Sequence, residues 1–195
     1  MNALSLVTTM DQLTLYKIRS KRVHPLAIRH YENKDHEQVR NLFVTVNRLL
    51  APPHMVALFE TYIKQSLAEE IDCIADYYET RGGQFWVAEA AGKIVGMLGL
   101  EPFGDHDREL RRMYVDPQAR RKGYARQMLE FAEHQSADDG AWHLYLSTSE
   151  LQDAALAFYR NAGYQQLREE VSEAATNKTI GGGIRRYYFR KPLNR

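Results

Sequence analysis

The spacing of apolar residues switches between two periods along the chain. Residues 26–31 are short and part-alternating, and Pro25 before them suits a strand entry. Asn33 and Asp35 are both N-cap candidates for the next segment, in which Val39, Leu42, Phe43, Val46, Leu49 and Leu50 recur every three or four positions. Pro52 and Pro53 stop that helix. A second helical pattern over 54–80 carries Leu58, Tyr62, Ile63, Leu67, Ile71, Ile74 and Tyr78, as one long helix or two, and ends at Arg81-Gly82-Gly83. The period then shortens. Residues 84–90 and 93–100 read as strands joined by Ala91-Gly92, a two-residue hairpin signal, and 109–115 read as a third strand after a polar loop over 104–108. Ala125, Met128, Leu129 and Ala132 mark a helix face closed by Gly140, and 141–148 is another strand. Ser149 and Gln152 have capping-box spacing before a helix with Leu151, Ala155, Phe158 and Ala162 on one stripe, ended by Gly163. Residues 164–168 and 185–190 are expected to pair as a terminal hairpin across a mobile loop that contains Gly181-Gly182-Gly183.

The resulting order is β-α-α-β-β-β-α-β-α-β-β, an α/β (α+β) arrangement with a mixed sheet, flanking helices and no internal repeat. A chain of 195 residues suits one core, and 44% hydrophobic with 26% charged residues is a globular balance. Residues 1–25 read as an N-terminal extension and 26–195 as the domain. Lys and Arg number 26 against 25 Asp and Glu, so no whole-molecule field draws the chain to nucleic acid or a membrane, and any anion binding is local. The stretch 94–100 is far too short to span a bilayer, and residues 2–10 lack the basic start of a secretory signal. A single cysteine, Cys73, gives neither an internal disulfide nor a Cys-rich metal site, so a reducing cytoplasm is the expected setting. Seven scattered histidines form no ligand pair, and no catalytic metal is expected.

The most informative stretch runs from Met113 to Ala125, where a strand leads through Asp116-Pro117 and a basic turn into a helix N-terminus. Gly123 permits close backbone approach, Ala125 leaves the first turn uncrowded, and the unpaired N–H groups sit at the positive end of the helix dipole. With Arg120, Arg121 and Lys122 beside them, these groups suit a phosphate or pyrophosphate. The spacing fits neither the Walker lysine loop nor the dinucleotide glycine fingerprint.

Arg120, Gly123 and Ala125, preceded by Val115-Asp116-Pro117, resemble the pyrophosphate loop of the GNAT superfamily, the acetyl-CoA-dependent N-acetyltransferases. Gln152, Ala155, Phe158-Tyr159 and Gly163-Tyr164 are similar to the family's second motif, with Gln152 where Asn is common. Phe85-Trp86-Val87-Ala88-Glu89 and Ile94-Val95-Gly96-Met97 also resemble the vertebrate membrane-anchored branch that acetylates cysteine conjugates. That branch has a hydrophobic anchor between its first helix and second strand, where residues 54–80 are here charged and amphipathic.

The resemblance implies a single GNAT-like domain over 26–195. Its sheet would be mixed and mostly antiparallel, with six to seven strands, about four helices and a splayed parallel pair formed by strands 109–115 and 141–148. It implies that acetyl-CoA lies in that gap, with its pantetheine arm on the backbone of Met113, Tyr114 and Val115 and its pyrophosphate on Arg121, Lys122, Gly123, Tyr124 and Ala125. Arg120 and Gln152 would sit nearby. The acceptor is then a primary amine of a small molecule or peptide, acetylated directly in a ternary complex by a monomer or homodimer. At pH 7 roughly one alkylamine in 10³ is neutral, so a base is expected. Glu109, read as opening its strand, is the first candidate, with Glu101, Asp105 and Asp107 as rivals, and Tyr159 takes the family's general-acid position. The alternative function is a catalytically silent acetyl-CoA-binding regulatory module. Nucleic-acid binding through Arg108, Arg111, Arg112, Arg120, Arg121 and Lys122 is disfavoured by the acidic residues among them. Cys73 is expected to be a packed thiol, and Tyr187, Tyr188 and Phe189 to pack on the sheet.

Overall fold

A computed structural model describes residues 25–193; the expected extension, apart from Pro25, lies outside the described residues. Strand β1 (Ala27–His30) leads into helices α1 (His36–Leu50), α2 (Val56–Glu69) and α3 (Ile74–Glu79). Strands β2 (Gln84–Ala90), β3 (Lys93–Phe103) and β4 (Asp107–Val115) follow. Helix α4 (Tyr124–Asp138), β5 (His143–Ser149), α5 (Asp153–Asn161), β6 (Gln165–Ser172) and β7 (Ile184–Pro192) complete the order.

The strands form one seven-stranded sheet in the order β1-β2-β3-β4-β5-β7-β6. Its neighbours are antiparallel except β4 and β5. Both faces are covered, which explains why β2 and β3 read as near-continuous apolar runs. Phe85 and Val87 meet Val39, Phe43, Val46, Tyr62, Ile63 and Ile71 of the α1–α3 side. Trp86 and Ala88 point the other way, to Met128, Leu129 and Ala132 of α4 and to Leu144, Leu146 and Phe189. Among the described residues no single helix is long and apolar enough to cross a membrane.

Several boundaries differ from those expected. The 54–80 pattern is two helices, broken by a 3-10 turn at Ile71–Cys73, so a short fifth helix joins the four. Strands β3 and β4 extend toward each other to Phe103 and Asp107, because the chain keeps pairing through Pro102–Arg108 and Phe103–Asp107. The supposed capping box is not formed. Helix α5 starts at Asp153 with no side-chain cap, and Gln152 instead accepts a hydrogen bond from the Thr148 hydroxyl. Asp35 does not cap α1 through its side chain. Its carboxylate accepts from the Glu32 N–H at 2.9 Å and from Arg29 at 2.7 and 2.8 Å.

The terminal hairpin is longer than expected, and the loop over 173–183 is tied down. Gly182 and Gly183 donate to the Glu173 and Ser172 carbonyls at 3.1 and 3.0 Å, and Ile180 packs against the α1–α3 core. Cys73 is a half-buried thiol whose pKa is pushed up by burial. Phe189 is fully buried, Tyr187 packs on the second core, and Tyr188 lies under the Arg168 guanidinium at 3.8 Å.

Candidate active site

Two irregularities in β4 open the centre of the sheet. The β3–β4 register moves from Met97–Tyr114 to Gly99–Arg111, so Arg112 and Met113 together oppose Leu98 in a β-bulge. Arg112 takes φ +51°, a left-handed conformation that costs a non-glycine residue free energy unless its side chain is held. On the other edge, β4 pairs with β5 at Arg108–Leu144, Glu109–Tyr145 and Leu110–Leu146, and the ladder stops there. Residues 111–115 thus turn an unladdered edge toward 147–149. This is the splay that the resemblance implies.

One hollow follows that edge. It encloses about 620 Å³ and is lined by Met113, Tyr114 and Val115, then by Arg120, Arg121, Gly123, Tyr124 and Ala125, with Gln152, Ala155, Phe158 and Tyr159 of the α5 side opposite. Gly123 is the N-cap of α4 at φ +80° and Arg121 stands at φ +61°, so the turn's backbone is bent tightly before the first turn of the helix. Eleven of the twelve residues singled out from the sequence line this hollow or the next one. The exception is Lys122, whose ammonium lies 5.9 Å from the Tyr124 ring and lines a separate depression against α1.

The second hollow, about 110 Å³, opens on the other side of the bulge and shares Met113, Tyr114, Leu151, Gln152, Ala155 and Tyr159 with the first. Glu109, Arg111, Arg112, Asn177, Lys178 and Arg186 make its wall polar. Glu109 is the third residue of β4 rather than its first, because the strand begins at Asp107. It accepts an ion pair from Lys178 Nζ at 2.6 Å. Its rivals are occupied or placed elsewhere. Glu101 accepts from Arg111 at 3.0 and 3.1 Å, Asp107 holds the His143 backbone N–H and ring at 2.9 and 3.0 Å, and Asp105 lies in the exposed β3–β4 turn. Tyr159 is buried, and burial pushes its phenol up to about 12, so it keeps its proton across the working range.

Beneath this hollow lies a charged network absent from the sequence reading. Glu70, fully buried, accepts from Arg112 Nε and Nη2 at 3.0 and 2.6 Å, from Arg111 Nη2 at 2.8 Å and from the Tyr78 hydroxyl at 2.8 Å. Burial pushes its carboxyl up, but the Arg112 and Arg111 guanidiniums overcome this and hold it below the usual carboxylate range. Arg112 also donates to the Tyr62 hydroxyl and to the Asn177 carbonyl, both at 2.6 Å, and Arg111 donates to the Tyr77 hydroxyl at 2.9 Å. Arg111 and Arg112 are therefore internal charges and not part of a surface tract. A signal did exist: Glu70 lies three positions after Leu67 and seven after Ile63, a charge on the apolar stripe. Gly99 makes room for the network, since a Cβ there would lie 2.6 Å from the Tyr78 ring.

The family model for an acetyltransferase (GNAT) domain matches residues 81–166. Residues 81–166 are thus similar to a GNAT acetyltransferase domain. The matched GNAT segment spans β2 to the start of β6, and so contains the first hollow apart from Val46 and Leu50 of α1, and leaves out α1–α3 and the 173–183 loop. N-acetyltransferase 8 of Homo sapiens is 31% identical over 111 residues, 54% of this chain and 49% of that protein. The chain thus spans about half the length of that relative. N-acetyltransferase family 8 member 2 of Rattus norvegicus is 23% identical across 86% of this chain and 96% of its own. Among solved structures, PaiA N-acetyltransferase from Thermoplasma acidophilum in complex with coenzyme A superposes with a TM-score of 0.67 at 15% identity. The match covers 87% of this chain and 99% of that one. It supports the GNAT fold.

Proposed function

We propose that the protein is an acetyl-CoA-dependent N-acetyltransferase that passes an acetyl group directly to a primary amine of a small molecule or peptide. The observation that carries this reading is the meeting of two chemically different hollows at Tyr159, Tyr114 and Met113. The larger hollow has the size, the unladdered β4 edge and the helix N-terminus that suit a long thioester ending in a pyrophosphate. Its residues fit acetyl-CoA as cosubstrate. The backbone at 113–115 would hold the pantetheine arm and orient the thioester carbonyl toward an N–H donor. Arg120, Arg121 and the N–H groups from Gly123 to Ala125 would hold the pyrophosphate.

The smaller hollow offers an incoming amine Glu109 as base. Tyr159, protonated at working pH, donates a hydrogen bond to the departing sulfur. The thiolate of a thiol near 8.5 is a weaker base than a tyrosinate held up to about 12, so a hydrogen bond rather than complete transfer stabilises the leaving group. Burial of Arg111 and Arg112 and the Arg108–Asp139 pair remove three cations from the sequence tract that nucleic acid would need. A reducing cytoplasm suits a chain with one half-buried cysteine.

Calorimetric titration of acetyl-CoA, followed by an amine and peptide screen, tests the reading. Micromolar 1:1 binding with acetyl transfer is expected. Well-folded protein that fails to bind acetyl-CoA overturns the proposal, whereas binding without transfer to any amine leaves the silent regulatory module. In the active enzyme, Glu109→Gln flattens the rise of kcat/KM with pH; an unchanged profile removes Glu109 from the role of base.

A further inference from the structure

The acceptor side of the site already holds an amine of the chain itself. Lys178 Nζ lies 2.6 Å from Glu109 Oε2 and lines the same hollow as Tyr159. No other lysine among the described residues lines it.

The position is built. The Thr176 hydroxyl accepts from the backbone N–H groups of Lys178 and Thr179, each at 3.0 Å. Next to it, the Asn177 carbonyl accepts from the buried Arg112 at 2.6 Å and the Asn177 amide donates to Tyr77 at 3.3 Å. These bonds fix the turn over the hollow and leave the lysine stem free to reach down, with its amine against the carboxylate that the acceptor must meet.

We propose that Lys178 is a self-acetylation site, modified within the same molecule by acetyl-CoA bound in the adjoining cleft. The inference rests on the acetyltransferase reading. Lys178 loses a proton to Glu109, and the neutral Nζ attacks the acetyl carbonyl. The N–C bond forms as the thioester C–S bond breaks. The departing thiolate is held by the Tyr159 hydrogen bond and takes, through water, the second proton that the acylated nitrogen sheds, while Glu109 releases its own proton to solvent. The net reaction converts one lysine ammonium and one acetyl-CoA into an amide, free CoA thiol and a proton. The amide is neutral and cannot pair ionically with Glu109, so modification removes the charge tie between the 173–183 loop and β4. Glu109 is then open to an external amine.

The test incubates the intact chain with acetyl-CoA and no added amine, reading whole-protein mass and mapped peptides. One acetyl group on Lys178 is expected, at a first-order rate that is independent of protein concentration and rises with pH. Lys178→Arg stays unmodified at this position while binding acetyl-CoA as the parent does, and Glu109→Gln and Tyr159→Phe each slow the modification by about 10²-fold. Acetyl-CoA binding with Lys178 unmodified overturns the inference and leaves the transferase reading intact, whereas absent binding overturns both. A Lys178 rate proportional to protein concentration, or unchanged in Tyr159→Phe, also overturns self-acetylation within one molecule.

Discussion

The two hollows that meet at Tyr159 are made by different means. Apart from Val46 and Leu50 of α1, the larger is lined by residues from two stretches, 113–126 and 151–159, and depends on backbone exposed by a splayed strand pair and a helix start. The smaller is assembled from α1, α2, β4, β5, α5, the 173–183 loop and β7, and Glu109, Arg111, Arg112, Lys178 and Arg186 put charge in its wall. The first is a local device that a short motif can encode. The second exists only when residues far apart in sequence converge, so its recognition properties vary with the helices and loops around it. The matched GNAT segment ends at residue 166, before the loop and β7 that complete the smaller hollow.

The largest effect expected from separating the two falls on Glu70. Glu70→Gln leaves two buried guanidiniums short of their counter-charge and should cost about 3–5 kcal/mol, a fall in Tm on the order of 10 °C. A melt within about 2 °C of the parent would show that the network does not hold the bulge. The same substitution should flatten the acid limb of the stability curve. A carboxyl whose folded pKa is depressed stabilises above its unfolded value of 4.5 and loses that contribution as pH falls through its folded value.

Next in size, Tyr159→Phe should lower kcat by about 10²-fold while the acetyl-CoA dissociation constant stays within about twofold, read by steady-state kinetics beside calorimetry. Equal losses in both would make Tyr159 part of the binding wall alone. Gly123→Ala, forced into φ +80°, should weaken acetyl-CoA binding about tenfold and leave the acceptor KM alone, which separates the two hollows from the other side. The smallest effect concerns base. The folded state keeps the Tyr159 proton up to about 12, so stability falls as pH rises from about 10, where the unfolded chain starts to release it. Tyr159→Phe should make that decline shallower in chemical-denaturation curves.

The same contrast decides what was legible. The β2–β3 hairpin, the apolar face of α1 and the Gly123 turn follow from local spacing, and the structure has all three. The polar run Gly104-Asp105-His106-Asp107-Arg108 predicts a strand start at Glu109. Yet Asp107 and Arg108 pair with Phe103 and Pro102, and strand pairing overrides local composition. Ser149 and Gln152 have capping spacing, but Thr148 engages the Gln152 side chain one turn earlier and the helix begins after it. The Glu70 network was the least legible feature. Its links join residues 42 and 65 positions apart, beyond any periodicity window, although a lone acid on an apolar stripe was there to be noticed.

The short β4–β5 ladder has a mechanical consequence. Three rungs join the four-stranded and three-stranded portions of the sheet, and beyond Leu110 and Leu146 the seam is open. A molecule lying along that opening takes the place of the missing rungs and becomes a tie between the two portions. Substrate and scaffold then share one cooperative unit. Melting temperature should climb with the logarithm of ligand concentration, and amide exchange should slow most at 111–115 and 147–149, the two lips that the guest draws together.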